Sequence, residues 1–276
     1  MLDFHVVIPA RISSTRLPGK PLLEIGGKPM VVRVAEQATQ SGARQIIIAT
    51  DYEPILSAAL EHGFKGCMTR ADHSSGTDRI AEVVTQQGWP DDAIVVNVQG
   101  DEPLIPPALI RAVAQHLSDH PECDIATACH PIHDEASMRN PNIVKAVLDK
   151  NGNALYFSRA PIPYPRDFFA ATSPTPTRPL ASLSPGEREL LPENITVLLH
   201  IGIYAYRASF LRAFGQLAPA AIEKIEALEQ LRALWHGYKI GVTITHDAPP
   251  SGVDTEADLL VARKIFESSL IQGAKK

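Results

Sequence analysis

The sequence predicts an α/β protein built on a doubly wound, mostly parallel sheet. Three observations carry this. Short, nearly continuously apolar runs recur, as expected of strands covered on both faces. Between them lie segments with helical periodicity, several opening on a proline suited to a first turn. The chain has 276 residues, 45% of them hydrophobic, which is enough for a sizeable core. In order, strands are expected at 4–10, 45–50, 93–99, 124–128 and 144–148, and helices at 29–40, 54–61, 77–87 and 107–117. That βαβ rhythm places ligands outside the carboxyl ends of the strands.

Beyond residue 150 the rhythm changes. Strands are expected at 154–158 and 197–206, and the stretch 161–192 between them holds eight prolines with scattered Ser and Thr. Such a composition predicts a long mobile loop or lid. A helix over 219–235, a strand over 239–245 and a last helix from about Thr255 complete the chain, and Thr255 with Asp258 gives a capping-box-like start to that helix. No internal repeat and no linker divides the chain, so residues 1–276 are expected to form a single domain.

The formal net charge of -5 lacks the broad basic excess of a duplex nucleic-acid binder. No run approaches the roughly 18 apolar residues of a membrane span, and acidic Asp3 stands where a signal peptide would be basic. The expectation is a cytoplasmic protein with no membrane insertion. Cys67, Cys123 and Cys129 have no CxxC spacing, so buried or idle thiols are expected.

Against this background VVIPARISSTRLPGKPL, residues 6–22, stands out. An apolar run ends at Pro9 and Ala10, and Arg11, Arg16 and Lys20 follow with no acidic residue among them. A solvated basic loop is one reading. A triphosphate cradle is the other, because arginine supplies a planar fork and lysine a mobile point charge for phosphate oxygens. Neither GxxxxGK[ST] nor GxGxxG is present, so a P-loop enzyme and a typical dinucleotide dehydrogenase both lose ground. In VVNVQGDEPLI, residues 95–105, a strand runs into Gln99, Gly100 and Asp101. This is either a Gly-Asp turn or a carboxylate placed to hold Mg²⁺. In PPSGVDTEADL, residues 249–259, Asp254 is either a helix cap or a second metal-holding carboxylate.

These segments, with CMTRADHSSGTDRIAEV, NPNIVKAVLD, ALYFSRAPIP, HIGIYAYR and IEALEQLRALWHG, resemble the signature blocks of the 3-deoxy-manno-octulosonate (Kdo) cytidylyltransferase family of lipopolysaccharide biosynthesis. They occur in the family's order and cover nearly the whole chain. The resemblance implies a nucleotide-diphospho-sugar transferase (Rossmann-like) fold with a small β-rich dimerisation and sugar-binding subdomain, Mg²⁺ dependence, a homodimer, and CTP and Kdo as substrates. It further implies that Arg11 and Lys20 meet the triphosphate, that Pro9 and Ala10 belong to the nucleotide site, and that Arg16 lies on the phosphate and sugar-acid side. Asp101 and Asp254 match the metal-binding aspartates. Gln99, Arg159, His200, Tyr204, Glu229 and Gln230 match the sugar pocket, and Arg70, Ser75 and Gly76 match the segment facing the base. A core role for Tyr204, a satisfied buried histidine at 200 and a solvated helix residue at 229 stay open alongside. Residues 167–193 depart from the family pattern in being longer and richer in proline.

The reaction so implied is attack of the anomeric hydroxyl of Kdo on the α-phosphorus of CTP, with pyrophosphate leaving. Catalysis is then mostly positioning and charge neutralisation. Arg159 would hold the sugar carboxylate through a bidentate pair. Two alternatives are a cytidylyltransferase for a related acidic sugar, amino-Kdo or sialic acid, and a non-catalytic nucleotide-binding protein of the same fold.

Overall fold

The computed structural model describes residues 2–12, 16–73, 75–166, 197–247, 249–250 and 252–273. Most of the expected proline-rich loop, from residue 167 on, lies outside the described residues.

Strand β1 (His5–Ala10) is followed by a single 3₁₀ turn (Lys20–Leu22), the tight hairpin β2 (Glu24–Ile25) and β3 (Lys28–Pro29), and helix α1 (Met30–Gln40). Then come β4 (Gln45–Thr50), α2 (Glu53–Glu61), β5 (Lys65–Met68), α3 (Gly76–Gln87), β6 (Ile94–Asn97) and α4 (Pro107–Asp119). The second half holds β7 (Ile125–Ile132), α5 (Glu135–Arg139), β8 (Lys145–Leu148), β9 (Ala154–Ser158), β10 (Val197–Arg207) and α6 (Ala208–Phe214). It ends with α7 (Ala221–Glu226), α8 (Gln230–Trp235), β11 (Ile240–Ile244) and α9 (Glu256–Gly273).

The main sheet runs β11-β7-β10-β6-β1-β4-β5. Along this path β10 is antiparallel to both β6 and β7, and the other neighbouring pairs are parallel. Strands β8 and β9 add an antiparallel extension beside β10. The mostly parallel α/β sheet expected from the sequence is therefore present. Period-two alternation explains its double covering. Val6 and Ile8 join the core under α1 and α4, whereas Val7 joins the one under α3, α6 and α8. On β6, Val96 and Val95 divide in the same way.

The strand order reverses between β1 and β6, since β4 lies on the far side of β1 and β10 on the far side of β6. In a doubly wound sheet that crevice is where ligands bind. The backbone there is close-packed: a Cβ on Gly100 would stand 2.9 Å from the Pro9 carbonyl oxygen, so only glycine lets the turn after β6 pass the end of β1.

The continuous helix expected over 219–235 is corrected. It is two short helices, α7 and α8, divided at Ala227, whose φ of 51° is left-handed. Helix α7 buries none of its residues, so no apolar stripe holds the chain straight, and the turn lets Leu228 and Leu231 enter the core. The break is held by Arg159, whose Nε donates to Glu226 O at 2.8 Å and Nη2 to Ala227 O at 3.4 Å. These are carbonyls that a helix end leaves open.

Candidate active site

Three distant segments converge at the carboxyl end of the sheet because a small apolar core pulls them there. It contains Leu17, Leu104 and Val253, packed with Ile25, Met30 and Leu259. Each of the first three stands within a few residues of a site candidate, namely Lys20, Asp101 or Asp254. The backbone adds a direct tie, Val253 N–H to Asp101 O at 2.8 Å. Lys20 Nζ consequently lies 2.6 Å from Asp101 Oδ2 and 2.9 Å from Asp254 Oδ1, and Arg16 Nη2 lies 3.0 Å from the same Asp254 oxygen. Burial would lower the Lys20 pKa, but the hydrogen bonds and charges of the two aspartates outweigh it and raise it.

The two readings of Asp254 are now separated. The cap of α9 is Thr255 with Asp258: Asp258 N donates to Thr255 Oγ1 at 3.3 Å, and Thr255 N donates back to Asp258 Oδ2 at 2.8 Å. The Asp254 carboxylate is left to face the cations. At the end of β1, Arg11 Nη2 is buried without a partner among the described residues, a donor suited to an anionic ligand.

Next to this charged cluster is a cavity of about 290 Å³ lined by Gln99, Tyr204, Glu229 and Gln230, with Thr77 and Asn97 among its other walls. The cavity has apolar walls too, in Ile125, Phe210 and Phe214, and Gln99 joins it to the turn that carries Asp101.

Residues 5–240 match the family model described as cytidylyltransferase. The chain belongs to the cytidylyltransferase family. It is 40% identical to a solved CMP:2-keto-3-deoxy-manno-octonic acid synthetase complexed with CTP, over 97% of this chain and 99% of that one, with a TM-score of 0.82. Two more distant structures share the fold. One is a cytidylyltransferase from Leptospira borgpetersenii, at 14% identity over 97% of this chain and 87% of that one, with a TM-score of 0.56. The other is a Methanothermobacter nucleotidyl transferase, at 15% identity over 96% of this chain and 98% of that one, with a TM-score of 0.55.

Within this cytidylyltransferase, not every residue singled out in the sequence joins the crevice in the same way. Gly76 packs against Pro9: its missing Cβ would stand 3.6 Å from the proline ring. Ser75 caps α3, accepting from Asp78 N at 3.1 Å, and Arg70 lies at the surface with Nε 3.1 Å from Asp72 Oδ1. Ala10 is buried at the end of β1. His200 lines a second cavity, of about 200 Å³, rather than the first. Thr127 donates its hydroxyl to Ile203 O at 2.6 Å and so accepts from His200 Nε2 at 3.0 Å. Burial pushes the His200 pKa down to about 4, so the ring is neutral at ordinary pH.

Arg159 departs most from the expectation. Besides its two contacts at the end of α7, its Nη1 donates to Pro141 O at 3.0 Å, so the fork faces main-chain carbonyls and does not line the cavity. Its own carbonyl accepts from the fully buried Lys145 at 2.6 Å. A cationic side chain in a signature block is thus used to fix backbone.

Sequence reasoning passed over Thr77, Asn97 and Tyr206. A period-two signal was present, since Asn97 precedes Gln99 and Tyr206 follows Tyr204 by two positions, and Tyr204 and Tyr206 share a face of β10. Glu102 was also missed. It lines the second cavity with His130, and burial, with the charge of Asp101, raises its pKa to about 8.

Among the described residues no group of three or more His, Cys, Asp or Glu could hold a metal ion. The pair Asp101 and Asp254 fits a hard divalent cation nevertheless. Their oxygens already converge on one cationic point, and such ions take one or two carboxylates and complete their shell with substrate phosphates and water. Among the described residues no helix is long and apolar enough to cross a membrane.

Proposed function

We propose that this cytidylyltransferase transfers CMP from CTP to the anomeric hydroxyl of Kdo, forming CMP-Kdo and pyrophosphate. The observation that carries this is the convergence of Asp101 and Asp254 on Lys20 at the strand switch point, beside a cavity whose walls include Gln99, Tyr204, Glu229 and Gln230. The 40% identical relative complexed with CTP supports the choice of nucleotide and acceptor.

In this reading Arg11 and Lys20 grip the triphosphate, and Arg16 moves between Asp254 and the phosphate side. The unpartnered Arg11 donor supports that assignment. Gln99, Tyr204, Glu229 and Gln230 orient the sugar so that its anomeric oxygen lies in line with the α-phosphorus, while the bond to the β-phosphate breaks. Asp101 and Asp254 would hold Mg²⁺, which when bound supplies Lewis-acid neutralisation of phosphate charge. The ion's identity, a homodimeric working form and a cytoplasmic setting in lipopolysaccharide biosynthesis belong to the same proposal and rest on the resemblance.

The test is pyrophosphate release with CTP, UTP, ATP or GTP, each with and without Kdo and Mg²⁺. Release only with CTP, Kdo and Mg²⁺ together is expected. Turnover with sialic acid but not Kdo, or equal use of UTP, would overturn the assignment. Sedimentation of the pure protein as a monomer would remove the homodimer.

A further inference from the structure

The cavity wall that carries Glu229 and Gln230 follows directly on a helix with little to hold it. No residue of α7 is fully buried, and Ile222 packs only partly against the core. The turn after it is left-handed at Ala227, a conformation that a residue with a Cβ adopts only at a cost. Something other than apolar burial must fix where this turn stands.

Glu226, the last residue of α7, does so. Its Oε1 accepts the Ser158 hydroxyl at 2.6 Å and its Oε2 accepts the Arg159 N–H at 3.0 Å, so both oxygens are committed to the end of β9. The Ser158 oxygen in turn accepts the Ala160 N–H at 3.0 Å. The receiving end is itself fixed: Ser158 is buried, and the fully buried Lys145 donates to the carbonyls of Asn140, Ile143 and Arg159 at 2.9, 2.5 and 2.6 Å. Arg159 is thus held through both its N–H and its carbonyl. Helix preference does not explain an acidic residue at this position, because the open carbonyls of a helix end favour cations. On the other flank, Glu229 Oε1 accepts the Thr77 hydroxyl, so the wall is tied to β9 on one side and to α3 on the other.

We propose that Glu226 is a positioning residue for the sugar acceptor: it fastens the turn at Ala227 to the end of β9 and so sets Glu229 and Gln230 in the cavity wall. This rests on the acceptor reading above, in which those two side chains orient the sugar.

The experiment measures Michaelis constants for Kdo and CTP, with urea unfolding alongside, in wild type, Glu226→Ala, Glu226→Gln, Ser158→Ala and the Ser158→Ala/Glu226→Ala pair. Glu226→Ala should raise the Kdo constant by about tenfold, with the CTP constant within about twofold of wild type. Glu226→Gln keeps one accepting oxygen for the Arg159 N–H and should raise the Kdo constant by only about threefold. Ser158→Ala should fall between wild type and Glu226→Ala. The double variant should match Glu226→Ala, because the hydroxyl acts through that carboxylate. A Glu226→Ala protein that unfolds more easily but keeps both constants would show a purely structural role and overturn the inference. Equal increases for both substrates, or fully multiplicative effects in the double variant, would overturn it as well. If Glu226→Ala does not fold, Glu226→Gln and Ser158→Ala decide. Wild-type turnover with another acidic sugar and not with Kdo would overturn the acceptor reading instead, and the same constants taken with that sugar then decide the role of Glu226.

Discussion

The Lys20 ammonium and the Asp254 carboxylate, 234 residues apart in the chain, meet at 2.9 Å. Asp101 reaches the same nitrogen at 2.6 Å, so one ammonium is shared by two carboxylates, and Arg16 adds a second cation at Asp254. Like charges held this close need such a partner.

Replacing either carboxylate with its amide should therefore be severe. If they hold Mg²⁺ as proposed, Asp101→Asn and Asp254→Asn are each expected to lower turnover by at least about two orders of magnitude, since an anionic ligand is lost. Pyrophosphate release at saturating Mg²⁺ measures this. A variant with near wild-type turnover would remove its residue from the site.

Lys20→Met should separate two consequences of the ammonium's position. Without it Asp101 loses its ion pair and Asp254 keeps only Arg16, so Mn²⁺ affinity in the absence of nucleotide should rise, by roughly tenfold. On the proposed grip of Lys20 on the triphosphate, CTP affinity should fall by a comparable factor. Titration calorimetry reads both, and a parallel fall in both affinities would contradict the assignment.

Gly100→Ala tests the close passage of β1 and the turn after β6. The new Cβ would meet the Pro9 carbonyl oxygen at 2.9 Å, and backbone must shift to relieve it. A loss of about 1–3 kcal/mol is expected in denaturant unfolding, with a larger loss of turnover because Arg11 and Asp101 separate. Unchanged stability would mean the strands tolerate the displacement.

The neutral His200 makes stability depend on pH. Its folded pKa of about 4 lies below the ordinary 6.5, so the unfolded chain takes up the proton first. Stability should fall as pH drops from 6.5 to 4 and gain no further loss from this residue below that, with an upper bound of about 3 kcal/mol. The difference in unfolding free energy between wild type and His200→Gln, followed over that range, should shrink on acidification. A difference constant with pH would rule out the neutral ring as its source.

What the amino-acid sequence determined by itself is the local part. Apolar runs such as Ile46–Ile48 and Val95–Val96 encode strands because burial on both faces of a sheet is a property of neighbouring residues. The wider match in residue order was enough to point to CTP and an acidic sugar. Tertiary structure alone decided how competing polar groups were shared out. Asp254 and Asp258 are both carboxylates near the start of α9, yet Asp258 closes the cap and Asp254 faces Lys20, because Val253 is drawn into the small core and its N–H binds Asp101 O. Arg159, outwardly suited to a carboxylate, fastens the helix end at Ala227, and Thr77 donates its hydroxyl to Glu229. A side chain's charge can be read from its code, but its partner depends on which strands and loops the packed sheet brings within hydrogen-bond reach.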